Sequence, residues 1–191
     1  LKQSDFDIYQ NLIPAEGICN KPIVSPLAFN ASLFYNFYLE NTFSVNSDSI
    51  QYEIRVEPIF KEEALVSGSL LVRDNTWEVT NYQLKVNEGA LLYFEDFNVK
   101  STYVYSKNQL LPSKRLFDYT ILKGGKKITG KNKTHYSNYQ PIEKQSTSFW
   151  NESAVYEIDA RNKDSNYWST NRQFELAPID KIYLHREDSI R

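Results

Sequence analysis

The sequence holds few of the residues from which catalytic and metal sites are most often built. Its 191 residues include one cysteine, two histidines, six glycines and no methionine. The lone cysteine excludes an internal disulfide, and neither histidine has a second histidine or a cysteine at the spacing of a zinc site. The nucleophile-elbow pattern G-x-S-x-G is also absent. We therefore predict no catalytic residue, no metal and no cofactor, and a hydrolase assembled from distant residues is the least favoured alternative.

Charge and hydropathy argue against two further classes of protein. The net charge is −2, so the chain has no general electrostatic attraction for nucleic acid. No apolar run approaches the roughly 18 residues of a membrane-spanning helix, and we expect no signal peptide within these residues, which in an excised segment says nothing about compartment. Because the chain begins at Leu1 and lacks methionine, we expect a segment excised from a longer protein or a processed product. Cys19 follows Ile18 without an apolar leader, so we expect a small apolar loop residue and not a lipidation site.

Aromatic residues and strict alternation are what the chain has instead. Aromatics make up 15% of the residues, with 14 tyrosines, and tyrosine suits a pleated surface with one dry side. Between positions 50 and 57, apolar residues at even positions alternate without an error with polar residues at odd positions. This pattern predicts a half-buried antiparallel strand, which Pro58 is expected to end because proline cannot donate to a ladder.

Further strands are predicted over residues 33–43 and 66–72, in a long segment from Phe97 to Tyr105, and over 154–160. The apolar phase changes from odd to even between Trp77 and Tyr82, and a period of two cannot slip without an extra residue. We therefore predict a β-bulge near residues 80–81. A glycine inside a strand usually marks a bend or the close approach of another group, and we expect one of these at Gly68, with Trp77 as a core filler near it.

A paired glycine, Gly124-Gly125, predicts a tight hairpin between strands at 116–122 and 126–139. Residues 125–132 (GKKITGKN) approach the phosphate-binding pattern G-x-x-x-x-G-K-[ST], but Asn132 replaces the hydroxyl that would hold Mg²⁺. The hairpin context favours a lysine-rich, solvated edge strand. An alternative role for the lysines of 123–133 is contact with an anionic lipid or polysaccharide.

These elements predict a mostly β (α+β) fold, a curved antiparallel sheet of the half-barrel type with one or two short helices. We expect one domain, with an irregular or helical lead-in over 1–32, the sheet over 33–160 and a closing segment over 161–191. That segment should contain a C-terminal helix, since Pro178 suits the first helical position and apolar residues follow at helical spacing.

Several segments resemble a Bacteroidetes outer-membrane family known only as a domain of unknown function. They are residues 5–13 (DFDIYQNLI), 21–27 (KPIVSPL), 52–58 (YEIRVEP), 66–72 (VSGSLLV), 74–77 (DNTW) and, near the end, 167–172 (YWSTNR). The resemblance is good over 5–106 and 165–191 and poor over 107–164. It implies a carboxypeptidase-regulatory-like β-domain before this region, an outer-membrane β-barrel after it, and a periplasmic location attached to the outer membrane. Residues 52–77 also resemble, more weakly, the lipoprotein-carrier half-barrel.

The predicted function is a non-enzymatic periplasmic domain that binds a lipid acyl chain or an apolar peptide on a concave sheet face. The alternative is a structural spacer or docking domain that contacts neighbouring domains of the parent chain, with a flat apolar patch in place of a cavity. No nucleic-acid partner is expected. The candidate ligand-binding residues are the apolar positions of the first three predicted strands: Leu33, Tyr35, Phe37, Ile50, Tyr52, Ile54, Val56, Leu70 and Val72.

Overall fold

The computed structural model of the chain describes residues 6–46, 49–106, 109–139 and 163–188. The chain divides into two compact units, residues 1–145 and 146–191. In the described ranges, no helix is both long and apolar enough to cross a membrane.

The first unit is built on an antiparallel seven-stranded sheet in which each strand pairs with the next along the chain. The sheet is not closed, because β3 and β9 are its two outer strands. This confirms the predicted mostly β fold. A separate two-stranded sheet and two 3-10 helices (Ala31–Leu33 and Glu88–Ala90) complete the unit. The strands are β1 Leu12–Ile13, β2 Ile23–Val24, β3 Tyr35–Asn46, β4 Ser49–Pro58, β5 Val66–Arg73, β6 Val79–Val86, β7 Phe94–Ser106, β8 Gln109–Lys123 and β9 Lys126–His135.

The core lies between one face of the large sheet and the N-terminal segment, residues 6–34. Ile8, Ile13 and Ile23 from this segment are fully buried in the same apolar cluster as strand residues such as Val56 and Leu84. Of the predicted irregular or helical lead-in over 1–32, the described residues are largely irregular, with β1, β2 and the first residues of a 3-10 helix. Prolines at 14, 22 and 26 disfavour an α-helix here, since each removes a backbone donor that a helix interior needs.

The predicted β-bulge is present in β6. Leu71 pairs with Asn81 and Val72 pairs with Val79, so Thr80 is the extra residue. The hydroxyl of Thr80 donates to the carbonyl of Leu71 at 3.2 Å, which gives this buried side chain a partner. The bulge keeps Val79 and Tyr82 on the same buried face despite their odd separation.

The predicted close approach at Gly68 is confirmed. A Cβ on Gly68 would clash with the carbonyl oxygen of Gln83 and lie 3.1 Å from the Cα of Leu84, and the φ angle of Gly68 is +143°. The prediction for Trp77 is wrong, because the side chain is 67% exposed. Trp77 lies in the β5–β6 turn with a φ of +57°, and its ring stacks on Tyr52 at 6.0 Å.

The glycine hairpin is also confirmed, with φ angles of +59° at Gly124 and +75° at Gly125. Residues 126–135 continue as β9, so the stretch that approaches a phosphate-binding pattern is an edge strand. Gly130 has a packing role here. It pairs with Tyr119 on β8, and a Cβ at Gly130 would clash with the ring of Tyr119. The glycine therefore lets a tyrosine lie across the edge strand.

The second unit contains two described helices, α1 (Ser165–Asn171) and α2 (Pro178–Asp188). Asp164 caps α1, since its carboxylate accepts the backbone N–H of Tyr167 at 2.8 Å. Helix α2 begins at Pro178, as predicted. The strand predicted over 154–160 lies outside the described residues.

Candidate functional site

The strand register brings most of the predicted ligand-binding residues to one face. Val56 pairs with Phe37 and with Gly68, Ile54 with Leu70, and Tyr52 with Val72. Leu33 is the exception. It belongs to the 3-10 helix before β3, not to the strand, and its side chain is 65% exposed.

The chain itself already fills the inner part of this face. Val56, Leu70 and Val72 are between 0% and 6% exposed, in one cluster with residues of the N-terminal segment. Ligand binding by the predicted residues stays a prediction, but the buried ones have no free surface to offer. Phe37, at 41%, and Ile50, at 37%, keep exposed surface near the outer strand β3.

Tyr35 holds the N-terminal segment onto the sheet. Its hydroxyl donates to the carbonyl of Val24 in β2 at 2.5 Å and accepts the backbone N–H of Val66 in β5 at 3.2 Å. The side chain is 2% exposed, and burial raises the pKa of its hydroxyl. The hydroxyl therefore stays protonated and serves both partners, which explains a tyrosine at this core position.

A buried arginine among tyrosines lies on the same sheet face, further along β6 to β8. Arg115 is 3% exposed, and the ring of Tyr82 lies 6.2 Å from that of Tyr103. Burial raises the pKa values of Tyr82 and Tyr103, while the guanidinium of Arg115 opposes the rise in both. Tyr82 donates to the carbonyl of Phe6 at 2.9 Å. Arg115 and these tyrosines therefore form a charged, hydrogen-bonded cluster within the core. The pKa values of both tyrosines are raised, so neither hydroxyl is activated as a nucleophile.

Sequence reasoning missed Arg115, although a signal for it exists. Arg115 is in phase with Phe117 and Tyr119 in β8, and both of these pack against the core. A basic residue inside an apolar strand phase predicts a cation on the buried face. The predicted strand began at residue 116, directly after Arg115, whereas β8 begins at Gln109.

Several carboxylates of the sheet and its connections pair with lysines. The carboxylate of Glu63 pairs with Lys21 at 3.2 Å and that of Glu95 with Lys127 at 2.9 Å. Asp96 pairs with Lys85 at 3.1 Å, and the hydrogen bonds of Lys85 to Glu88 and Asp96 raise the pKa of its amine. Within the described ranges, no group of three or more histidine, cysteine or acidic residues is placed to hold a metal ion.

The opposite, polar face of the sheet carries a shallow groove of about 400 Å³. Ser69, Gln83 and Lys100 follow one another across β5, β6 and β7 on its floor. Amides, hydroxyls, Lys100, Glu53 and apolar side chains line the groove, and the carboxylate of Glu53 accepts the side-chain amide of Asn41 at 2.7 Å. Its full lining is Phe43, Glu53, Ser69, Leu71, Asn81, Tyr82, Gln83, Lys100, Ser101 and Thr102.

The two outer strands of the sheet differ in the side chains that they expose to solvent. Strand β9 carries Lys126, Lys127, Lys131 and Lys133, a common protection of an exposed sheet edge. Strand β3 has no lysine, and over residues 37–39 it exposes two aromatic side chains and a leucine that is 64% exposed. Its one acid, Glu40, is the extra residue of a bulge and pairs with Arg55 on β4.

Comparison with known proteins identifies the family of the chain. The model of a family described as "Family of unknown function (DUF5686)" matches residues 1–139. No curated protein and no solved structure matches the chain. The match covers the N-terminal segment and all of the seven-stranded sheet. It includes residues 107–139, where the sequence motifs resemble the outer-membrane family poorly. Residues 165–191, where those motifs resemble that family well, lie outside the match.

Proposed function

We propose that this chain, which belongs to the DUF5686 family of unknown function, is a non-enzymatic docking domain. The observation that carries this proposal is the filling of the ligand face by residues 6–34 of the same chain. A carrier of an acyl chain needs an apolar cavity. Here the exposed apolar side chains of β3 lie on an edge to which no other described strand is added, as a docking surface requires. The resemblance of the sequence motifs supports a setting in the periplasm, attached to the outer membrane.

Strand β3 is the docking surface in this proposal, specifically its first five residues, Tyr35–Leu39. An outer strand presents a row of backbone N–H and C=O groups, to which an extended strand can add. Side chains of Phe37, Tyr38 and Leu39 flank that row and are between 41% and 64% exposed. Strand addition would bury them together with the backbone groups.

The occupant in this proposal is an extended strand of a neighbouring β-rich domain in the same polypeptide. The resemblance implies such a domain before this region. One observation favours it over an unrelated partner. Residues 35–39 carry no charged side chain that would select a charged partner. A domain held on the same polypeptide also has a high effective concentration, so a short edge suffices.

A photo-crosslinking amino acid at Leu39 in the longer parent protein tests this. The expected crosslinks run from position 39 into the preceding domain, whereas the same probe at Lys131 on the protected edge β9 gives none there. Leu39→Lys, which copies the protection of β9, should abolish docking with little change in the free energy of unfolding. Crosslinks from position 39 to a second copy of the chain, or equal crosslinks from both edges, would contradict the proposal.

A second candidate, binding of an acyl chain or apolar peptide on the predicted face, is favoured by the exposure of Phe37 and Ile50. Native mass spectrometry of the purified chain, with an organic extract analysed for lipid, distinguishes the two. Docking predicts the mass of the chain alone. A co-purifying acyl chain that is lost in Ile50→Asp, with the fold intact by circular dichroism, would favour the carrier.

A further inference from the structure

One end of the large sheet gathers exposed apolar side chains on three separate connections. Successive connections of an antiparallel sheet in sequential order alternate between its two ends. The β4–β5, β6–β7 and β8–β9 connections therefore share one end, here called the hairpin end (residues 59–65, 87–93 and 122–127). Its exposed large side chains are Ile59 at 44%, Phe60 at 49%, Leu92 at 46%, Tyr93 at 73% and Leu122 at 54%.

Contacts between the connections make the hairpin end one continuous surface. The side-chain amide of Asn87 donates to the carbonyl of Phe60 at 2.9 Å, which joins the first two connections. Leu92 and Tyr93 share a cavity of about 400 Å³ with Leu122 and Lys123, which joins the second connection to the glycine turn. The apolar side chains thus form one rim and not isolated points.

Positive charge accompanies the apolar rim at the glycine turn. Lys123 and Lys126 flank the two glycines, are exposed, and form no ion pair with any residue that the structure describes. Lys127 follows and pairs with Glu95 at 2.9 Å.

The acids of the hairpin end do not cancel this charge. Glu63 and Glu88 pair with Lys21 and Lys85, at 3.2 Å and 2.8 Å. Glu62 packs against Gly89 and belongs to the β4–β5 connection, the one farthest along the sheet from the turn. The turn itself therefore presents uncompensated cations beside exposed apolar side chains.

We propose that the hairpin end docks on the surface of a bilayer that contains anionic lipids. Tyr93 and Leu122 enter the interface between headgroups and acyl chains, where a tyrosine keeps its hydroxyl in water and its ring in the apolar layer. Lys123 and Lys126 lie at the level of the headgroup phosphates, with their apolar stems extended along the interface. This inference is independent of docking at β3.

Flotation of the full 191-residue chain with lipid vesicles tests the proposal. The chain should bind vesicles of phosphatidylcholine with phosphatidylglycerol and not vesicles of phosphatidylcholine alone. Lys123→Gln with Lys126→Gln should weaken the partition coefficient about 25-fold, from about fivefold for each lysine near an anionic surface. Tyr93→Ser with Leu122→Ser should weaken it at least as much as a single lysine change, about fivefold, since apolar insertion is lost.

The matched control is Lys131→Gln with Lys133→Gln, which removes the same charge from β9 at positions away from the turn. The proposal requires a change of less than about twofold here. Equal loss in the control would mean general electrostatic attraction and would overturn it. Binding to soluble dextran sulfate that the Tyr93 and Leu122 changes leave untouched would identify a polyanion site, which also overturns it. If the chain binds neither kind of vesicle, the proposal is also overturned.

Discussion

Gly68→Ala tests the central packing contact of the sheet. The added Cβ would clash with the carbonyl oxygen of Gln83 on the neighbouring strand, and this oxygen belongs to the backbone and cannot rotate away. A φ of +143° adds strain of about 1–3 kcal/mol for any residue with a Cβ. Overpacking against fixed backbone adds about 1–3 kcal/mol. We expect a loss of about 4 kcal/mol, a large part of the roughly 5–15 kcal/mol that stabilises a domain.

The matched control is Gly17→Ala, because Gly17 also has a positive φ, +79°, but no atom lies within 4 Å of the place that its new methyl group would take. Its expected cost is about 1 kcal/mol, from backbone strain alone. Urea unfolding followed by circular dichroism measures both variants. If the two substitutions cost the same within about 0.5 kcal/mol, the close approach at Gln83 has no energetic consequence and the reasoning fails.

Three further predictions concern single side chains. Tyr35→Phe should lower the free energy of unfolding by about 2–3 kcal/mol in a urea titration, because it leaves buried polar groups of Val24 and Val66 unpaired. Trp77→Ala should cost less than about 1 kcal/mol in the same assay, against about 3–5 for a tryptophan that fills a core. Burial raises the pKa of Cys19 to about 11 from 9.0, so the thiol holds its proton more tightly in the folded chain. Its contribution to stability is complete below pH 9 and should be lost, by about 2 kcal/mol, as the pH rises to 11.

Each of these has its own control. The control for Tyr35→Phe is Tyr93→Phe, which removes a hydroxyl from a side chain that is 73% exposed and should leave the free energy of unfolding unchanged. A Trp77→Ala cost of several kcal/mol would show that its stacking on Tyr52 matters more than its exposure indicates. For Cys19, the stability of Cys19→Ala between pH 9 and 11 is the reference. If the wild type and this variant lose stability in parallel, the thiol is not the titrating group.

Local chemistry was enough to predict most of the sheet. Alternation over residues 50–57 predicted β4, the glycine pair predicted the β8–β9 hairpin, and the change of phase before Tyr82 predicted the bulge at Thr80. Each of these signals depends on a few neighbouring residues. The period of two, the φ angles that glycine allows and the missing donor of proline act within a strand or turn, whatever packs on it.

The candidate site was less predictable. The apolar face of β3–β5 was found, but nothing in its alternation shows whether a ligand, a helix or the chain itself covers it. The structure places the N-terminal segment there, held by the hydroxyl of Tyr35.

The sequence by itself determined β4 and its two faces, the glycine hairpin and the bulge, because these follow from local backbone geometry. Tertiary structure alone decided that residues 6–34 fill the face, that Trp77 lies in solvent, and that β3 is the second outer strand of the sheet. The physical reason is the range of the interactions. Burial depends on which distant segments meet, and a side-chain pattern of period two specifies that a face is apolar without specifying its partner.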